Sequence, residues 1–169
     1  MNQPFYGKYR ATVLNNIDPM NLGRLMVQVP DVSNILPSTW AKPCLPFAGI
    51  QSGMYVVPAI GSGVWVEFEH GDPDYPIWVG CFWGSPAEVP ALALAPPPAL
   101  QKLVITTTGQ NSLMISDVPG PTGGILLMTT TGAMISISEV GITLSNGQGA
   151  TIVMAGPTVT INEGALAVT

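Results

Sequence analysis

From Leu103 to Thr169 the chain is a ladder of short apolar runs broken by glycine about every eight residues. Ile125-Leu126-Leu127-Met128-Thr129-Thr130-Thr131-Gly132 is followed by Ala133 to Gly141, and then by Ile142-Thr143-Leu144-Ser145-Asn146-Gly147-Gln148-Gly149. Ala150 to Pro157 and Thr158-Val159-Thr160-Ile161-Asn162-Glu163-Gly164 complete the series. Asp117, Glu139 and Glu163 are the only charged side chains in this half. A strand of about five residues plus a turn, repeated, predicts stacked β-structure rather than a compact domain.

Such a ribbon cannot stand alone. Ordering costs roughly 1.5 kcal/mol per residue. At about 25 cal/mol per Å², each residue must bury some ~60 Å² of apolar surface to offset that. Ribbon must therefore stack on ribbon. A single-chain solenoid uses on the order of 18–25 residues per coil, and the segment would make only about three coils. Three chains giving one strand each per level fit the octad better, so the expectation is an intertwined, triple-stranded β-helix in a homotrimer. Parity within strands agrees: Ile135 with Ile137, Ile142 with Leu144, Ile152 with Met154, Val159 with Ile161. Thr and Ser fill the alternate positions and suit exposed β-surface.

Charged residues make up 9% of the chain and mean hydropathy is +0.39. No run of 18 or more apolar residues occurs, so no helix of bilayer length is expected. The first eight residues lack the basic-then-apolar pattern of a secretory signal. Low charge instead points to surface hidden in an oligomer. Net charge is −5 with only 5 Lys and Arg, which argues against binding phosphate backbones. Cys44 and Cys81 are the only cysteines and are read as buried free thiols. With one histidine they fall short of a four-ligand zinc site.

Residues 1–86 read as a separate all-β domain. Tyr6 to Leu14 alternates, with Tyr9, Ala11 and Val13 on one face. Leu22 to Val29 alternates again, Gly53 to Val57 reads as a short strand, and Gly63 to His70 and Pro76 to Trp83 follow. About five strands without a convincing helix describe a small barrel of the OB type. Residues 87–102 are a Pro/Ala linker, with Pro96-Pro97-Pro98 expected in polyproline II. Residues 103–169 are expected to form the β-helix, with the loop Asp117 to Gly124 placed outside the stack.

Two stretches of the first domain carry a family resemblance. Asp18-Pro19-Met20-Asn21-Leu22-Gly23-Arg24-Leu25-Met26-Val27-Gln28-Val29-Pro30 resembles the pattern D-P-x-x-x-G-R-x-x-V-x-x-P. Gly61 to Pro76 resembles G-x-x-V-W-V-x-F-x-x-G-D-P-x-x-P, with Gly71, Asp72, Pro73 and Pro76 at its end. Both patterns are those of phage baseplate assembly protein V, shared with the VgrG spikes of type VI secretion and other contractile injection systems. The resemblance implies an OB barrel followed by a triple-stranded β-helix in a homotrimer. It also implies a hub protein at the barrel end, a needle aimed at a target membrane, and purely mechanical work with no cofactor. Assembly from the cytoplasm into a tail or injection particle follows. Some members end in a His-x-His pair that binds iron; Asn162 to Thr169 holds no histidine. An apolar end with Leu166, Val168 and Thr169 instead suits a separate PAAR-type tip protein. No segment has room for the lysozyme domain that some relatives carry.

Other residue clusters have plainer explanations. His70, Asp72 and Asp74 are spaced by a Gly-Pro turn, not as metal ligands. Glu67 and Glu69 share a strand face as a solvated or interface-facing pair, and no nucleophile–base constellation accompanies them. Trp40, Trp65, Trp78 and Trp83 could stack on bases, but an acidic chain favours core or hub contact. Gly61-Ser62-Gly63 precedes a strand, so it is no phosphate loop. No catalytic, metal or cofactor residue is expected. The competing reading is an OB module for glycans or single-stranded nucleic acid with a trimerising tail.

Overall fold

A computed structural model of the chain describes residues 4–95 and 100–168. The chain divides into two compact units, residues 1–88 and 89–169. The proline triplet at 96–98 lies outside the described residues.

The first unit is a closed five-stranded barrel. Its strands are β1 (Tyr9–Asn15), β2 (Leu25–Gln28), β3 (Pro37–Pro43), β6 (Gly63–Phe68) and β7 (Pro76–Phe82), paired in the order β1-β2-β3-β7-β6. The sheet closes through β1 and β6, and β3 with β7 is its one parallel pair. Period-two alternation sends Ala11, Val13, Leu25, Val27, Val64, Val66 and Trp78 inward to form the core. Leu25, Val27, Val64 and Val66 are fully buried. Register shifts at Val13/Asn15, Met26/Gln28 and Trp65/Val66 supply the bends that a barrel this small requires.

Three details differ from the sequence reading. Between β3 and β6 only β4 (Ala48–Gly49) and β5 (Ser52–Gly53) form, as a minimal hairpin. Met54 to Val57 find no partner strand and stay irregular. One helical turn, α1 (Pro30–Ser33), begins on Pro30, whose fixed φ suits the first helical position. Cys44 and Cys81 are exposed, not buried. Cys44 follows the end of β3, and Cys81 lies beyond the β6–β7 register shift, where the inward alternation has already ended. Partial cover still pushes the Cys81 thiol pKa up.

The second unit is one antiparallel meander. Its strands are β8 (Lys102–Thr106), β9 (Ser112–Ser116), β10 (Gly124–Met128), β11 (Ala133–Ser138), β12 (Gly141–Asn146), β13 (Thr151–Ala155), β14 (Thr158–Ile161) and β15 (Leu166–Val168). Each strand pairs with the next in sequence, giving an eight-stranded sheet. Consecutive strands hydrogen-bond to one another as antiparallel partners within the chain. Connections of two to seven residues fold each strand back on its predecessor. A short helix, α2 (Ala91–Leu94), packs against β8.

Candidate functional site

Register turns the octad into a surface. Leu103, Ile115, Ile125, Ile137, Ile142, Met154, Val159 and Val168 are successive cross-strand partners and form one column. Ile105, Leu113, Leu127, Ile135, Leu144, Ile152, Ile161 and Leu166 form a second. The columns are two residues apart along every strand, so they share one face. Every position in the two columns is aliphatic or Met, and Asn146 lies on the same face at its margin. At about 4.8 Å per strand the columns run for roughly 34 Å. Most of these side chains are over a third exposed in the single chain, up to 56% at Ile105. Patches of this length and chemistry mark surfaces that another protein covers.

The opposite face changes along its length. Val104, Met114 and Leu126 begin its central column, and Ser136, Thr143, Val153 and Thr160 continue it. Met114 is buried there, on the face that α2 covers. Side chains tie successive turns together along the sheet margins. The Asn111 Oδ1 accepts from the Thr130 amide at 3.4 Å, the Asn162 Oδ1 from the Thr151 amide at 3.0 Å, and the Glu139 carboxylate from the Gly120 amide at 2.8 Å. Gly124 opens β10 with φ +81°, and a Cβ there would lie 2.0 Å from the Ile137 carbonyl oxygen. No other residue fits that reversal.

In the barrel, the first motif builds a loop around one carboxylate. Pro19 occupies the second position of a turn closed by the Asn21 amide donating to the Asp18 carbonyl at 3.0 Å. Asp18 is buried, and its side chain accepts from the amides of Met20 (3.0 Å), Leu22 (2.8 Å) and Arg24 (3.2 Å). The Arg24 guanidinium adds Nη2 at 2.6 Å and Nε at 3.0 and 3.1 Å. That guanidinium holds the Asp18 carboxyl well below the usual carboxylate range; burial opposes the shift and the three amides reinforce it. The same bond raises Arg24 further above its ordinary value. Arg24 also lies 5.5 Å over the Trp40 ring. Gly23 has φ +74°, and its carbonyl accepts from the buried Trp78 Nε1 at 3.1 Å. The motif thus pins the β1–β2 loop to the barrel wall.

The second motif is the β6–β7 turn. His70 and Gly71 take φ +55° and +77°, and Asp72 Oδ1 accepts from the Asp74 amide at 3.0 Å. A Cβ on Gly71 would meet Pro4 at 2.9 Å and the Phe5 amide at 3.0 Å. Pro76 is fully buried. Glu67 pairs with Lys8, and Glu69 with Lys42 at 3.0 Å, both on the surface. Trp78 is core, Trp65 stacks near Phe82 with Arg10, and Trp83 is exposed. Among the described residues no group of three His, Cys, Asp or Glu side chains could hold a metal ion. Leu166 is exposed on β15. Thr169 and the side chain of Val168 lie outside the described residues.

With this geometry in view, residues 102–167 match the family described as the phage baseplate V C-terminal trimerisation domain. Residues 9–83 match the type VI secretion system/phage-baseplate injector OB domain. The barrel belongs to the injector OB domain family and the meander to the baseplate V trimerisation domain family. Both families are described as parts of phage baseplates or type VI secretion injectors. The trimerisation domain of a baseplate V protein implies a homotrimer, which supplies a partner of matching chemistry for the aliphatic face. The type VI secretion system spike protein VgrG3 of Vibrio cholerae serotype O1 is 33% identical over 109 residues, or 59% of this chain. The match spans about a tenth of that relative, 10% of its length. The two motifs anticipated the family; the two-column face needed the strand register, because turn lengths vary and hide it in the sequence.

Proposed function

We propose that this chain is the central spike of a contractile phage tail or phage-tail-like particle, a needle that pierces the target membrane and joins the tube and hub to a tip protein. The observation that carries this reading is the unbroken aliphatic face. Three such sheets around a threefold axis would place six inward side chains at every level. Their core would be dry and close-packed, and close-packed interiors transmit load with little compression. The work is mechanical, with no bond chemistry and no nucleic acid.

Each part has its role in this reading. Residues 1–86 form the barrel that meets the hub, residues 87–102 act as a spacer, and residues 103–169 form the shaft. Asp18, Pro19, Gly23, Arg24 and Pro30, with Gly71, Asp72, Pro73 and Pro76, hold the barrel's loops in shape. β15 is an edge of its sheet with Leu166 exposed, which suits a PAAR-type tip that adds strands there and contacts Val168 and Thr169. The trimer would be made in the cytoplasm and assembled into the baseplate.

Electron microscopy of particles carrying an epitope-tagged chain tests the proposal. Label at the front of the tube, on a threefold spike, is expected. Label on the sheath or tube wall would overturn it.

A further inference from the structure

The barrel carries a second apolar surface that its core does not use. The β4–β5 hairpin projects as a finger, with Ile50 98% exposed at its tip and Phe47, Tyr55 and Val56 exposed along its base. The base adjoins the β1–β2 loop. The Tyr55 ring lies 3.4 Å from where a Gly23 Cβ would sit, and the Asn16 Nδ2 donates to the Pro58 carbonyl at 2.9 Å. That loop exposes Ile17 (77%) and Met20 (63%). The surface is also uncharged. Residues 43–66 contain no Asp, Glu, Lys or Arg, and Asp18 and Arg24, the only charges from 11 to 30, neutralise each other.

We infer that this surface is closed by a second copy of the chain, the finger of one barrel seating on the β1–β2 loop of the next. Three observations select that occupant. A minimal hairpin is marginal in water and needs something to pack against. A core depleted of charge is the composition of permanent interfaces, not of charge-steered encounters. A threefold ring is heterologous, so each copy must offer two different complementary patches, and the finger tip and the loop are two such patches. The inference rests on the trimer. The 20 Cα-to-Cα steps from Phe82 to Lys102 reach at most about 70 Å. Three barrels tethered through the trimerisation domain therefore meet at roughly millimolar effective concentration.

The test uses the full chain with p-benzoylphenylalanine in place of Ile50, co-expressed with a tagged copy that lacks the photoprobe. Light scattering first establishes the mass. Irradiation of particles of trimer mass is expected to join the probe to residues 15–23 of the tagged copy. Trimers without cross-copy adducts would overturn the inference and leave the finger to another protein. A monomer mass would overturn the trimer itself. The surface variant Ile50→Asp should keep the trimer mass and speed amide exchange at least tenfold across 15–23; unchanged exchange would also count against the contact.

Discussion

Ile135→Asp puts the aliphatic face under the most demanding test. Ile135 sits between Leu127 and Leu144 in its column and is 42% exposed in the single chain. Full burial of such a side chain is worth about 1.5–3 kcal/mol, so covering its exposed part contributes about 1 kcal/mol per copy. The substitution forfeits that and places a carboxylate in a dry core, at several kcal/mol per ion. Threefold symmetry repeats the cost at one level, for a total of roughly 10 kcal/mol per trimer, or about seven orders of magnitude in the assembly constant. Light scattering at neutral pH and micromolar concentration should report monomers. Desolvation raises the pKa of a carboxyl confined there, so acidification to about pH 4 should restore trimers by neutralising it. Thr143→Asp, on the opposite face beside Ser136 and Val153, should leave the mass unchanged and stability within about 0.5 kcal/mol. Ile135→Asp trimers that persist at pH 7 with an unaltered melting curve would refute the reasoning.

Further predictions concern turns and clamp. Gly124→Ala should cost about 1–3 kcal/mol per copy from backbone strain, with more from the clash at Ile137, seen as a lower melting temperature. Trp78→Phe leaves the Gly23 carbonyl without its buried donor and should destabilise the barrel by about 1–3 kcal/mol in urea titrations. The depressed Asp18 pKa stabilises the folded barrel at pH values above its ordinary 3.8, and this contribution is lost as pH falls from there towards the folded value. Acid titration followed by tryptophan fluorescence should therefore show the barrel weakening below about pH 4. Asp18→Asn should be less stable at neutral pH with a flatter acid dependence; an identical acid slope would exclude Asp18 as its source.

Much of the fold was legible because burial follows alternation. Ala11 and Val13, and Val64 and Val66, declared their inward face in the bare sequence, and the structure buries all four. The octad likewise marked Ile135 with Ile137 and Ile152 with Met154 as one side of a sheet. Pairing was less legible. A repeat gives strand length and turn position but not register, so the two aliphatic columns emerge only from the cross-strand partners. Cys44 and Cys81 misled because their residue type favours the interior, whereas a strand end and a register shift decide their exposure. The Asp18–Arg24 clamp was visible only as a motif, since its five donors converge through loop geometry that spacing does not encode.

The account stands on aliphatic columns that copies of one polypeptide cover for each other. Light scattering on the intact wild-type chain at micromolar concentration tests it most directly. A mass of three times 17.7 kDa is expected. A folded species of 17.7 kDa, with the meander's amides protected in hydrogen exchange, would contradict it.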